Sequence, residues 1–318
     1  LCLYPGREYC GDIEVIDLAM LNTTLEKVGY NHFLLNDNEA AKFLPDRSED
    51  GHKGTFGKIC VLGGSMTMGG APALTARAAL KTGAGLVKTA VPDIIKNKAA
   101  NYSDEIIAEI LPSSTKTISK NAYAKIFRMA KEMDLLALGP GMGKSEDVDQ
   151  LVEKLLLNYS KPIVIDADAI NAIKNLNILN KRKAPLIMTP HPGEMSNLIN
   201  KSIKDIKENK IEISRKFAQK YNLYLILKGA STVIALPDGK VYINQSGVNG
   251  LATAGSGDVL TGITAGLLAQ GLKPSKAAVL APYLHGRSGD KAEEVLSSFS
   301  IVAGDIISFL PEVFNDLI

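Results

Sequence analysis

The residues best suited to chemistry lie between Ser246 and Gln270, SGVNGLATAGSGDVLTGITAGLLAQ. Gly255-Ser256-Gly257-Asp258 divides a small, polar, Gly-rich half from an apolar helical run that begins at Val259. Glycines at a helix start leave backbone N–H groups open to a ligand. With the positive end of the helix dipole, those groups make an anion site, typically for phosphate. Asp258 falls in the same first turn. A carboxylate there is either a helix cap or a base pointed at whatever the anion site holds. Taken alone, the stretch reads more simply as a capped helix packed on a neighbour.

Five further clusters bear on the choice. Pro162-Ile163-Val164-Ile165 reads as a strand running into Asp166-Ala167-Asp168. Two acids at a strand end suit a Mg²⁺ ion held through water beside phosphate oxygens, and Asp168 equally suits a helix cap. His191 lies in Thr189-Pro190-His191-Pro192-Gly193-Glu194. The two prolines hold it in an extended turn and out of a helix, a fixed loop position that favours ligand contact. Lys228-Gly229-Ala230-Ser231-Thr232 puts a lysine and hydroxyls in a Gly turn, which suits a nucleotide phosphate or an adenine-side contact. Gly63-Gly64-Ser65 follows the apolar Lys58–Leu62, and Gly139-Pro140-Gly141-Met142-Gly143 follows Asp134–Leu138. The first of these is either a phosphate approach or a tight turn that needs glycine. It is neither a Walker loop nor Gly-x-Gly-x-x-Gly. No Cys nucleophile and no Ser-His-Asp set accompanies these clusters. Phosphoryl transfer, which relies on positioning and charge neutralisation, fits them best.

The elements that must position these residues alternate. Short apolar runs predict strands at Lys58–Leu62, Leu86–Val91, Glu105–Leu111, Asp134–Leu138, Pro162–Ile165, Pro185–Met188 and Leu223–Leu227. Helical patterns separate them, at Ala71–Thr82, Ile94–Ala99, Glu146–Leu157, Ser202–Lys207 and Ile211–Tyr221. Val233–Leu236 and Lys240–Asn244 read as a hairpin across Pro237-Asp238-Gly239. Two long helices, Ser275–Glu294 and Ala303–Leu310, close the chain. The alternation predicts an α/β protein with a mainly parallel central sheet and helices on both faces. Five strand ends carry chemistry: Gly63, Gly141, Asp166, His191 and Lys228. Their recurrence at one sheet edge is hard to explain by turns alone.

Residues 1–50 differ from the rest. Cys10–Met20 alternates like a strand, and Asn36-Asp37-Asn38-Glu39 opens a capped short helix that ends before Pro45. This part reads as a linker or extension without a catalytic residue, leading to a domain over residues 51–318. The 318 residues are 46% hydrophobic and 22% charged, as in ordinary globular proteins. A net charge of +2 gives no argument for nucleic acid or an anionic membrane. The three cysteines match no metal or disulfide spacing, so a reducing, cytoplasmic compartment is the default. No apolar stretch reaches a membrane span.

Six segments then carry a resemblance: GSMTMGGAPALTARAALKTGAGLV, LGPGMG, IDADAINA, TPHPGEM, LKGAST and ATAGSGDVLTGITAGLLAQG, in order across about Gly54–Leu310. Together they resemble the ADP/ATP-dependent NAD(P)H-hydrate dehydratases, which have a ribokinase-like fold. The resemblance implies repair of the S epimer of hydrated NADH or NADPH (NADHX, NADPHX), with ADP or ATP as co-substrate and Mg²⁺. It implies that Asp258 is the base that deprotonates the C6 hydroxyl for attack on the terminal phosphoryl, with phosphate then eliminated. It gives Gly255, Ser256 and Gly257 the role of offering N–H groups to that phosphoryl. Ala71, Gly141, Gly143, His191 and Asp258 match the hydrate contacts. Lys228, Gly229, Ala230, Ser231, Thr232 and Gly257 match the nucleotide contacts. No protein metal ligand is assigned.

Two departures are visible. Ala254-Gly255-Ser256-Gly257-Asp258 stands where Gly-Gly-Thr-Gly-Asp is commoner, and Met66-Thr67-Met68 stands where an aromatic residue is common. The segment LYPGREYCGDIEVIDLAM resembles the end of an NAD(P)HX epimerase domain, so the chain reads as the C-terminal part of a bifunctional repair enzyme. The family also implies a homo-oligomer, a tetramer among the options. An ATP-dependent kinase of a small alcohol is the alternative the same fold supports. A non-catalytic nucleotide sensor is disfavoured, because a binder needs no base at Asp258.

Overall fold

The computed structural model describes residues 1–11, 13, 14, 16, 24, 27 and 29–318. The strand expected over Cys10–Met20 falls partly outside the described residues. The ten strands of the sheet are β1 (His32–Leu34), β2 (Lys58–Leu62), β3 (Leu86–Pro92), β4 (Ile107–Leu111), β5 (Leu135–Leu138), β6 (Ile163–Ile165), β7 (Leu186–Met188), β8 (Tyr224–Leu227), β9 (Thr232–Ala235) and β10 (Val241–Asn244). Their order is β1-β10-β9-β8-β7-β6-β5-β2-β3-β4. All pairings are parallel except β8 with β9 and β9 with β10, the expected hairpin. The chain leaves β2 outward to β3 and β4, then returns to β5 on the other side of β2. That reversal creates a crevice between the carboxyl ends of β2 and β5, where open α/β sheets bind ligands.

Helices of eight residues or more are α1 (Ala71–Lys81), α2 (Tyr123–Lys131), α3 (Glu146–Asn158), α4 (Pro192–Ile199), α5 (Lys210–Tyr221), α6 (Ser256–Ala269), α7 (Pro274–Val295) and α8 (Ala303–Leu317). Successive strand residues point to opposite faces, and both faces of the central strands are covered. Cys60, Leu62, Leu136 and Leu138 pack with α2–α5. Ile59, Val61, Leu135 and Ala137 pack with α1 and α6–α8. This double burial is why these strands read as unbroken apolar runs instead of alternating ones.

Three helices depart from expectation. α2 was not anticipated. His191 itself is extended and outside a helix, as its prolines suggested, but no helix was expected directly after it. Pro192 instead opens α4 at its first position, where the missing N–H costs nothing and the fixed φ is helical. The last helix runs past the expected Leu310 to Leu317, with Pro311 inside it.

α6 and α1 lie close enough that only glycine fits between them. A Cβ at Gly262 would overlap the Thr75 carbonyl, and one at Gly266 would come 2.7 Å from Thr82 Cβ. A hydrogen bond from Thr75 Oγ1 to the Asp258 carbonyl (3.0 Å) ties the start of α6 to α1.

Candidate active site

Because β2, β5, β6, β7 and β8 are parallel, their carboxyl ends share one edge. Gly63, Gly141, Asp166, His191 and Lys228 therefore line one rim, as the sequence suggested. Close approach is built in at the crevice. A Cβ at Gly63 would strike the Pro140 carbonyl, and Gly64 N–H donates to that carbonyl at 2.8 Å. Gly141, at φ +61°, lies against the first turn of α1, so that a Cβ there would be 3.0 Å from Ala71 Cβ. Gly143 N–H donates to Asp168 Oδ2 at 2.8 Å. Asp168 is thus not a helix cap. It holds the Gly-rich loop after β5. A cleft of about 600 Å³ opens here, bordered by Gly143, Asp168, Asn171 and Glu194, within the size range of small-molecule sites.

The charged centre forms around Lys228. Its Nζ lies 2.6 Å from Asp166 Oδ1 and 3.9 Å from Glu194 Oε2. Asp166 Oδ2 also accepts from Thr261 Oγ1 at 2.8 Å, so α6 and β6 are joined through this carboxylate. A Cβ on Gly257 would sit 3.3 Å from Lys228 Nζ. The ammonium therefore lies beside the first turn of α6, adding positive charge to a helix N-terminus. Burial works against the charge on Lys228, yet Asp166, Glu194 and Asp258 together hold its pKa above the ordinary value.

Asp258 occupies that first turn. Burial pushes its carboxyl up to about 7, Asp166 adds to the rise, and Lys228 opposes it. A carboxyl that titrates near neutrality at a ligand crevice is suited to general-base work. It accepts no cap hydrogen bond, because the N-cap is Gly255, held at φ +88° where glycine is at home.

Ser256 has protein partners of its own. Its N–H donates to the Thr253 carbonyl at 3.3 Å, and its hydroxyl and carbonyl lie 3.1 and 3.0 Å from His285 Nε2. His285, on α7, is half-buried, and its loss of solvation pulls its pKa down to about 4 and keeps the imidazole neutral. Neither His285 nor Thr261 stood out in the sequence, since each sits singly in an apolar helix.

His191 is the N-cap of α4. Its Nδ1 accepts from the N–H groups of Gly193 (3.0 Å) and Glu194 (3.1 Å), and Glu194 Oε2 accepts from His191 N–H at 2.8 Å. That reciprocal pair is a capping box. The ring's Nε2, 3.3 Å from Glu194 Oε1, stays exposed. Burial pushes the Glu194 pKa up.

The Lys228–Thr232 turn divides in two. Lys228 turns toward the acids, while Gly229 and Ser231 take positive φ. The Ser231 hydroxyl donates to the Cys2 carbonyl at 2.7 Å and the Thr232 hydroxyl to the Gly229 carbonyl at 3.0 Å. With both hydroxyls engaged, the turn presents mainly backbone to a ligand.

Comparison with known proteins decides what this arrangement is. A family of carbohydrate-kinase type, described as NAD(P)H-hydrate dehydratase, matches residues 59–312. The chain belongs to the NAD(P)H-hydrate dehydratase family. A bifunctional NAD(P)H-hydrate repair enzyme of Moorella thermoacetica is 43% identical over 100% of this chain, and the match spans 60% of that relative. An ADP-dependent (S)-NAD(P)H-hydrate dehydratase of Neisseria meningitidis is 36% identical over 82% of this chain and 86% of its own length. Among solved structures, an ADP/ATP-dependent NAD(P)H-hydrate dehydratase of Bacillus subtilis, co-crystallised with ATP/Mg²⁺, superposes with a TM-score of 0.75 at 28% identity. That match covers 89% of this chain and 98% of that one. A ribokinase-like protein of Enterococcus faecalis has the same fold, with a TM-score of 0.78 at 23% identity over 90% and 96% of the two chains. The dehydratase family signature thus covers all of the rim from β2 to α6.

Proposed function

We propose that the chain dehydrates the S epimer of NADHX or NADPHX at the expense of ADP or ATP. The reading rests above all on Asp258, whose carboxyl is lifted to about 7 in the first turn of α6 beside Lys228. Asp258 takes the proton of the C6 hydroxyl, and that oxygen forms a bond to the terminal phosphorus of the nucleotide. The bond from that phosphorus to the bridging oxygen breaks, releasing AMP from ADP or ADP from ATP. The C6–O bond of the phosphate ester then breaks, phosphate leaves with the electron pair, and loss of the C5 proton restores the dihydronicotinamide. The N–H groups at the start of α6 and the Lys228 ammonium steady the charge that builds on the transferred phosphoryl. Ala71, Gly141, Gly143 and His191 are assigned to the hydrate, and Lys228–Thr232 and Gly255–Gly257 to the nucleotide.

Mg²⁺ would come with the nucleotide. Among the described residues no group of three or more His, Cys, Asp or Glu could hold a metal alone. Magnesium usually takes one or two carboxylates and fills its shell with phosphate oxygens and water. Asp166 and Glu194, which share Lys228, fit that part, and the ion would neutralise phosphate charge there.

The chain spans about 60% of the length of the bifunctional relatives it matches. We read residues 1–50 as the connection to an epimerase domain and residues 51–318 as the dehydratase domain of one repair enzyme. A cytoplasmic location and a homo-oligomer, tetrameric among the options, complete the proposal. Among the described residues no helix is long and apolar enough to cross a membrane. The test is to incubate the protein with NADHX, Mg²⁺ and ADP or ATP and to follow NADH absorbance. Recovery of NADH that depends on nucleotide is expected. No recovery with either nucleotide, together with phosphorylation of an added small alcohol, would replace the dehydratase with a kinase.

A further inference from the structure

The turn assigned to the nucleotide is held from behind by a residue that no motif contains. Lys210, the first residue of α5, is 8% exposed. Its Nζ donates to the Ala230 carbonyl at 3.0 Å and to the Ser231 carbonyl at 2.8 Å. It forms no ion pair with a carboxylate among the described residues, although fourteen ion pairs occur elsewhere. A buried ammonium that faces only backbone carbonyls is costly for the fold. Burial draws its pKa down to about 8, and Lys207 adds to the fall. The carbonyls it binds belong to a turn that includes Gly229 at φ +131° and Ser231 at φ +53°. A left-handed serine persists only where its surroundings fix it.

We infer that Lys210 is a positioning residue for nucleotide binding, setting the Gly229–Thr232 turn and placing a positive charge behind the polyphosphate site. An anionic ligand on the turn's outer face compensates the charge that the protein leaves unpaired. The inference rests on the assignment of this turn to ADP or ATP. It goes beyond that assignment by placing an affinity determinant in α5, away from the reacting atoms. Lys210 has no part in proton or phosphoryl transfer, so its removal should weaken nucleotide binding and spare chemistry.

The test compares the 318-residue chain with Lys210→Met, which keeps the length of the stem, and Lys210→Arg, which keeps the charge. ATP binding is measured by calorimetry, and KM for ATP, KM for NADHX and kcat by NADH recovery. Loss of a hydrogen-bonded charge predicts that K210M binds ATP about 10- to 100-fold more weakly. Its kcat and its KM for NADHX should stay within about threefold of wild type, and K210R should recover most of the affinity. If K210M does not fold, Lys210→Gln carries the same comparison. ATP binding by K210M or K210Q equal to wild type would overturn the role of Lys210 and leave the nucleotide assignment standing. A proportional fall in kcat and in both affinities would also overturn it, as general damage to the fold. Failure of the wild-type chain to bind ATP or ADP would overturn the assignment of the turn itself, and the inference with it.

Discussion

Asp258→Asn separates two effects that the structure joins in one side chain. The carboxyl is lifted from its ordinary 3.8 to about 7, first by burial and then by Asp166. Above pH 7 the unfolded chain carries this group fully ionised, and so does the folded protein, but in a site that disfavours the charge. Below about pH 4 both states are protonated and the penalty is gone. At about 1.4 kcal/mol per pH unit, the ionised carboxylate costs the fold up to about 4 kcal/mol above pH 7. Asparagine has nearly the same shape and no charge. It leaves Lys228 paired with Asp166 at 2.6 Å and Glu194 at 3.9 Å, so no new unpaired charge appears. D258N should therefore be more stable than wild type at pH 8. At roughly 2 °C per kcal/mol for a large domain, the gain in Tm is up to about 8 °C, and it shrinks as pH falls from 7 toward 4. The same variant should lose about a hundredfold to ten-thousandfold in kcat, since a positioned base contributes that much, while binding nucleotide nearly normally. Thermal unfolding at pH 8 and pH 5, NADH recovery and nucleotide titration measure the three quantities. Full turnover in D258N would refute the assignment of the base. A variant less stable than wild type at pH 8 would refute the argument from burial.

Three further outcomes follow from the same geometry. Only the ionised form of Asp258 accepts a proton, so kcat/KM for the hydrate should rise with pH up to about 7 and then level off; a rate independent of pH between 5 and 8 would contradict this. Lys228→Met strands the buried Asp166 and should cost about 3–5 kcal/mol of stability. Because Lys228 opposes the rise at Asp258, any residual activity of K228M should show its acid limb at higher pH than wild type, read from a pH–rate profile. Gly262→Ala forces a Cβ onto the Thr75 carbonyl. It should cost about 1–3 kcal/mol and, by displacing the start of α6 from α1, lower kcat by about 100-fold; denaturant unfolding and turnover measure the two.

The sheet and its chemical edge were legible because the central strands are buried on both faces. β2, β5 and β6 therefore read as continuous apolar runs, each ending in Gly or Asp. Parallel pairing alone then brings residues far apart in sequence to one rim. The partners inside the rim were not legible. Lys228 meets Asp166 across 62 residues, and Thr261 meets Asp166 across 95. Nothing in local periodicity encodes such pairs. The motif gave no sign that the Ser256 hydroxyl would meet His285 on another helix. The helix after His191 was missed because proline breaks a helix interior yet starts a helix well. Lys210 resembles any surface lysine at a helix start until the fold closes the Gly229–Thr232 turn over it.

Whether phosphoryl transfer to the hydrate ends in elimination is measured most directly by the balance of products from NADHX, ATP and Mg²⁺. One NADH, one ADP and one free phosphate are expected per NADHX consumed, with no phosphorylated dinucleotide left at completion. ADP formed together with a stable phosphate ester and no NADH would show that Asp258 and Lys228 serve a kinase, and would contradict the dehydratase.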